Sequence, residues 1–378
     1  MKKIMAAACV AALFVCAGCS AETGERYSSV YMTESVAADK EQEYVPLNYT
    51  EQVGMWLPYV GFPEYMQSRS EEQFRTGIQH ILEDAAADGV NTVYFHVHPN
   101  GDAYYRSDIY PRGIYLDGDY DPLAIVIDEA HKRGISVHGW INPLRMQTDE
   151  EMRALPGDFI VKKWIASGSP CVKNVNGRWY LAPYCRETVE LLKETVSEII
   201  GRYDVDGIHI DDYFYPTTDE EFDREAFEES GSSDLSQWRM DNVSRFVKAI
   251  YDTVKAADRR LIFGISPQGN IDADYGSQYA DVRLWGGQQG YCDYIVPQIY
   301  FGFENETSPF LPTLAQWEDL TEGSGVSLII GLAAYKLGRE DKWAGSSAEL
   351  EWINNTDIIN KQIEAVKESS ADGYALYR

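Results

Sequence analysis

Eight short apolar segments recur along this chain with helix-like stretches between them, and that alternation constrains the fold more than any other feature. The segments are residues 55–60, 92–97, 136–141, 207–211, 261–265, 294–299, 327–332 and 374–377. Strands that alternate with helices form parallel sheets, and eight such units are the number that closes a barrel. The expected fold is therefore an α/β (β/α)8 TIM barrel over residues 50–378, with long loops after strands three and four. Helices are expected at 71–87, 122–132, 187–203, 235–257 and 350–368, the first opening after Ser70 and the second with Asp121 before Pro122. Glycines Gly89 and Gly134 close those two. The sequence reaches Arg378 directly after the eighth strand, where a complete barrel is expected to carry a final helix.

The fourth segment ends in D-G-I-H-I-D-D-Y-F-Y-P, residues 206–216. An apolar strand that delivers two adjacent carboxylates and three aromatics to its C-terminal end places costly charge where barrel enzymes keep their chemistry. Capping of a following helix and cation binding are the competing readings of Asp211 and Asp212. Residues 213–216 are a poor helix start, and an isolated pair of aspartates is a poor metal signature. Polar groups also cluster at other strand ends: His96, His98, Asn100 and Asp102 after strand two, His138, Trp140 and Asn142 at strand three, Gln298 and Tyr300 at strand six, Tyr335 and Lys336 at strand seven. Strict alternation puts His96, His98 and Asn100 on one face, and sets His209 beside Asp211 with Asp212 on the opposite side unless the chain bends. Four histidines on adjacent strands raise a metal-site reading, but no zinc-protease-like spacing accompanies them. No cofactor is expected.

The N-terminus reads as an export leader. Lys2 and Lys3 precede an apolar run over 4–15, too short to span a membrane, and Cys16-Ala17-Gly18-Cys19 follows. Small residues before Cys19 match a lipoprotein processing site, so residues 1–19 are expected to be a leader ending at a lipidated Cys19, with a lipid anchor to the membrane on the outer side. Residues 20–49, rich in Glu, Ser and Thr, are expected to be a flexible tether. Export would permit a disulfide between Cys171 and Cys185, which flank the turn sequence Asn174-Val175-Asn176-Gly177. The formal charge of -27 disfavours nucleic-acid partners, because such a surface repels phosphate backbones. The 26 tyrosines and 9 tryptophans suit a polysaccharide partner, whose apolar sugar faces stack on rings.

Several ordered blocks, including N-T-V-Y-F-H-V-H-P-N-G-D, H-K-R-G-I-S-V-H-G-W-I-N-P, D-V-D-G-I-H-I-D-D-Y-F-Y-P, F-G-I-S-P and D-Y-I-V-P-Q-I-Y, resemble the bacterial glycoside-hydrolase-like family ten. The resemblance implies a TIM-type barrel, cell-envelope lipoproteins among the members, and hydrolysis of glycans such as peptidoglycan strands stripped of their peptides. His98 and residues 181–184 depart from the family's usual pattern.

Adjacent carboxylates at a fourth-strand end resemble barrels in which the substrate's 2-acetamido group is the nucleophile. On that basis Asp212 is expected to be the general acid and Asp211 the group that orients the acetamide, with the order open to reversal. Tyr300 and Gln298 are expected to contact the reacting sugar and Trp140 to floor its site. Asn100, Asp102, Asn142, Tyr213, Tyr335 and Lys336 are expected to bind hydroxyls, and His209 to hold Asp211 ionised. The alternatives are a covalent mechanism taking its acid from Asp102, Asp272, Glu304 or Glu306, a metal-dependent deacetylase, and a glycan-binding lipoprotein without catalysis.

Overall fold

The computed structural model describes residues 44–378. The leader, Cys19 and most of the expected tether lie outside the described residues. The described chain is a closed barrel of eight parallel strands: β1 (Gln52–Leu57), β2 (Thr92–His98), β3 (Ser136–Ile141), β4 (Gly207–Ile210), β5 (Ile262–Ile265), β6 (Tyr294–Ile295), β7 (Ser327–Ala333) and β8 (Gly373–Tyr377). Each strand pairs with its neighbours in sequence, and β8 closes on β1 through Gln52 opposite Gly373. All eight expected strands are present. β1 begins three residues earlier than expected, and β6 is shortened to two residues, continued only by bridges from Gln298 to Gln268 and Gly331.

The helices between the strands include α1 (Glu71–Ala87), α2 (Pro122–His131), α3 (Arg186–Arg202), α4 (Leu235–Ala257), α5 (Val282–Gly287), α6 (Phe310–Thr321) and α7 (Ile358–Glu368). The capping residues act locally as their chemistry requires. Ser70 and Gln73 form a reciprocal capping box at the start of α1, and Asp121 accepts from the Ala124 amide at the start of α2. The single helix expected over 350–368 is split into Glu351–Asn354 and α7.

Two segments differ from expectation. Residues 44–49, expected to belong to the tether, dock on the barrel: the Tyr44 hydroxyl donates to Asp206, the Leu47 amide donates to the same carboxylate, and Asn48 donates to the Arg260 carbonyl. Asp206 is fully buried and also accepts from Val137 N (2.6 Å) and pairs with His131 (2.9 Å), so the compact unit begins at Tyr44. The loop after β3 folds into a three-stranded antiparallel sheet of Arg145–Thr148, Val172–Val175 and Arg178–Leu181. Its hairpin turns at Asn176 (φ 51°) and Gly177 (φ 83°), the left-handed pair that the Asn-Gly sequence favours. Cys171 and Cys185 beside it are buried free thiols.

The loop after β4 is tied down by one buried ion pair. The Arg239 guanidinium reaches both oxygens of Asp223 (2.8 and 2.6 Å), donates to the Thr218 and Asp219 carbonyls, and packs over the Tyr215 and Tyr279 rings. Both side chains are inaccessible to solvent, so removing one strands the charge of the other. Arg239→Ala is expected to lower unfolding stability by about 3–5 kcal/mol, measured by urea denaturation. A loss under 1 kcal/mol would contradict this account of the loop.

Candidate active site

The barrel interior beneath the C-terminal mouth is a hydrogen-bonded aromatic layer. The Trp56 indole N–H donates to His209 Nε2 (3.2 Å). An indole only donates, so His209 Nε2 is unprotonated and its proton sits on Nδ1, which faces the Tyr294 hydroxyl at 3.0 Å. Tyr294 in turn donates to His138 Nδ1 at 2.7 Å. Burial, and then His138, holds the His209 pKa well below the usual imidazole value. Tyr94 stacks on His209 with ring centroids 4.2 Å apart. Gly264 makes room for this layer, because a side-chain carbon there would lie 1.8 Å from the Tyr294 ring. His209 was expected to hold Asp211 ionised. Its two ring nitrogens are committed to Trp56 and Tyr294, and it is neutral and fully buried, so it supports the floor of the site.

Above this layer the strand ends enclose about 330 Å³, lined by Trp56, Pro58, Tyr59, Val60, His96, Trp140, Asn142, Asp211, Asp212, Tyr213, Gln298, Tyr300, Tyr335 and Tyr377. That volume lies at the small end of ligand sites. Of the twelve barrel residues singled out from the sequence, eight line this cavity: Asp211, Asp212, Tyr213, Trp140, Asn142, Gln298, Tyr300 and Tyr335. The chain bends after Asp211, so both carboxylates share the space.

Asn100, Asp102 and Lys336 do not line it. A register irregularity between His96 and His98 puts His96 opposite Trp140 but His98 opposite Ile141, which breaks the expected shared face. His98 then packs on Tyr110 and bonds the Asp102 carbonyl (2.8 Å), carrying Asn100 and Asp102 away from the mouth. Asn100 takes a bond from Arg178, and the Asp102 carboxylate accepts from the Asn100 amide. Lys336 is spent on Asp341 and the Tyr300 carbonyl, both at 2.8 Å, and fixes the loop after β7.

The two aspartates are electrostatically unequal. Asp211 is 5% exposed and its Oδ1 has no hydrogen-bond partner; burial, and then the neighbouring Asp212, push its pKa well above the usual carboxylate range. Asp212 is raised too, by burial, but Gln298 donates to its Oδ1 (3.2 Å), and that amide, with the Gln268 side chain, favours the anion. Asp274, buried behind them, accepts from the Gln268 amide (3.1 Å) and thereby sets the loop that carries Gln268. Other polar atoms at the cavity also lack protein partners: both ring nitrogens of His96, Nε1 of Trp140 and Oδ1 of Asn142. His96 lies face to face with Trp140, centroids 3.6 Å apart. Buried polar groups without partners are costly, and such a set around two carboxylates suits a ligand dense in hydroxyl and amide groups.

Sequence reasoning placed His96 in the strand-two polar cluster without giving it a part in the site, and missed the aromatics Trp56, Tyr59 and Tyr377 from the first and last strands. The signal for them was the same aromatic strand-end pattern seen elsewhere. It also missed Asp274, which nothing in the sequence separates from surface acids. The histidines do not converge on a metal site: His138 and His209 bond Tyr294, His98 bonds a carbonyl and His96 stacks on Trp140. Among the described residues the one group with metal-ligand spacing is Cys171, Cys185 and Glu187, which contains no histidine.

A parallel eight-stranded barrel with paired carboxylates and aromatic walls at its C-terminal mouth is the architecture of glycoside hydrolases. Residues 51–346 match the family Glycosyl hydrolase-like 10, and the chain belongs to that family. It is 33% identical to Glycosyl hydrolase YngK of Bacillus subtilis (strain 168), over 76% of this chain and 61% of that one, and 32% identical to Glycosyl hydrolase DigH of Escherichia coli (strain K12), over 77% and 72%. The chain thus spans less than two thirds of YngK. Its fold is similar to the PgaB (BpsB) glycoside hydrolase domain from Bordetella bronchiseptica, with a TM-score of 0.57 and 13% identity over 87% of this chain and 94% of that one. It is also similar to alpha-L-fucosidase isoenzyme 2 from Paenibacillus thiaminolyticus, with a TM-score of 0.55 and 12% identity over 86% and 46%.

The raised carboxyls make a stability prediction. A carboxyl whose pKa is higher in the fold than in the unfolded chain stabilises the fold below its unfolded pKa of about 4, and that contribution is lost as pH rises through the folded value. Asp211→Asn, which mimics the protonated form, is therefore expected to melt above the unmodified protein at pH 7, with the difference closing toward pH 4. Melting curves at the two pH values check this, and an Asn variant less stable at pH 7 would contradict it.

Proposed function

We propose that the protein is a glycosidase that cleaves an N-acetylated envelope glycan, with peptide-free peptidoglycan strands as the substrate of best chemical fit. The observation that carries the reading is that Asp211 and Asp212 are the only carboxylates lining the cavity among the described residues. Most glycosidases set two carboxyls on either side of the bond, about 5–5.5 Å apart for retention and about 6.5–9.5 Å for inversion. Neighbours at one strand end approach from the same side, and Asp102, Asp272, Glu304 and Glu306 lie off the cavity wall. The second group is then supplied by the substrate.

In the proposed reaction the acetamide N–H donates to Asp211 and stabilises its anion, which leaves the proton shared by the pair on Asp212. The acetamide oxygen attacks the anomeric carbon as the bond to the leaving oxygen breaks, and Asp212 gives that oxygen its proton. Asp212 then takes a proton from water, which opens the cyclic intermediate with net retention. Trp140 and Tyr300 pack on the reacting sugar, and His96 and Asn142 bond its hydroxyls. Tyr213, 45% exposed, and Tyr335 extend the wall outward. The names of the relatives and the family assignment support glycan hydrolysis, and the leader sequence supports an extracytoplasmic protein anchored through lipid on Cys19.

Incubation of the purified chain with peptide-free glycan strands, followed by sizing of the products, tests the reading. Asp211→Asn and Asp212→Asn are each expected to lower turnover by roughly 10²- to 10⁴-fold, and de-N-acetylated strands are expected to resist cleavage. Efficient cleavage of de-N-acetylated strands would remove the acetamide mechanism, and full activity in both variants would remove the assignment. Cys19→Ser is expected to shift the protein from the membrane to the soluble fraction, and continued membrane association would overturn the anchor.

A further inference from the structure

The three-stranded sheet after β3 holds cations that the rest of this acidic chain leaves unpaired. Arg145 and Lys173 both stand opposite Tyr180, one on each neighbouring strand of the sheet. Directly opposed residues project from the same face, so Arg145, Tyr180 and Lys173 form a row across the sheet, with the two cations separated by two strand spacings, about 9.6 Å between backbones. All three are half-exposed, whereas Val172 and Leu181 on the opposite face are buried. Neither Arg145 nor Lys173 has a carboxylate partner among the described residues, in contrast to Arg75, Arg239 and Lys336, which are each ion-paired. Arg145 Nε is buried without a hydrogen-bond partner. The row begins at the catalytic cavity, because the Arg145 guanidinium lies 4.8 Å from the ring centroid of Tyr213, a residue of the cavity wall.

We propose that this row is a binding track for a glycan whose sugars carry carboxylates. The proposal rests on the glycan-hydrolysis reading and names the substituent its substrate bears. A chain with a formal charge of -27 repels an anionic polymer, so such a substrate requires local positive charge where it meets the protein. Arg145 supplies a planar fork that matches one carboxylate at the cavity mouth, Tyr180 offers a ring to the next sugar, and Lys173 meets a carboxylate further along the chain. Peptide-free peptidoglycan presents this chemistry, with an ether-linked carboxylate on alternate N-acetylated sugars, whereas chitin has the same acetamides and no charge.

Calorimetric titration of the full chain carrying Asp212→Asn measures binding without hydrolysis. The probes are peptide-free peptidoglycan oligosaccharides and chitin oligosaccharides of equal length. The carboxylated chain is expected to bind roughly tenfold more tightly at low salt. Adding Arg145→Gln and Lys173→Gln is expected to abolish the preference, and the charge-conserving pair Arg145→Lys and Lys173→Arg to retain most of it. Equal affinity for the two probes, or an unchanged preference in the glutamine variant, overturns the proposal and leaves the hydrolysis reading standing. Binding of neither probe overturns both.

Discussion

The hydrogen-bond relay from Trp56 through His209 and Tyr294 to His138 is the constraint on which the site depends. It joins β1, β4, β6 and β3 across the barrel interior and fixes the proton positions on two buried imidazoles. Because His209 is neutral and fully engaged, it brings no positive charge to the carboxylates above it. Asp211 therefore stands on an uncharged aromatic floor, and burial, with Asp212 beside it, raises its pKa against the opposing pull of Arg145. A protonated histidine in that position would hold Asp211 as an ordinary anion and remove the shared proton that the proposed chemistry uses.

The fold also distributes the work among its loops. Gln298, at the end of β6, holds Asp212 with an amide donor, and Asp274 sets the neighbouring loop that carries Gln268. The loop after β7 is pinned through Lys336 and Asp341, and the loop after β4 through Arg239 and Asp223. These ion pairs fix the aromatic walls in place at no cost in charge at the cavity itself. Arg145 is the exception, a cation brought to the mouth without a carboxylate of its own.

The fold was legible in the sequence because barrel strands are short, apolar and punctuated, and the helix caps at Ser70, Asp121 and Gly134 obey local rules. The carboxylate pair at the cavity was legible for the same reason: two aspartates at the end of an apolar strand have few bland explanations. Asn100 and Asp102 were misplaced because one irregular residue in β2 rotates everything after it, and alternation arguments cannot see such a slip. His209 was misjudged because its role depends on Trp56 and Tyr294, partners from strands distant in sequence. The docking of residues 44–49 was hidden for a similar reason, since its anchor, Asp206, reads only as part of the fourth-strand motif.

The central claim is that Asp211 and Asp212 act on a substrate whose acetamide closes onto the anomeric carbon. A stable thiazoline analogue of that cyclic intermediate measures this directly, as a competitive inhibitor of glycan-strand cleavage. The account predicts inhibition much tighter than binding of the parent N-acetylated sugar, weakened by Asp211→Asn. No inhibition beyond that of the parent sugar would contradict it.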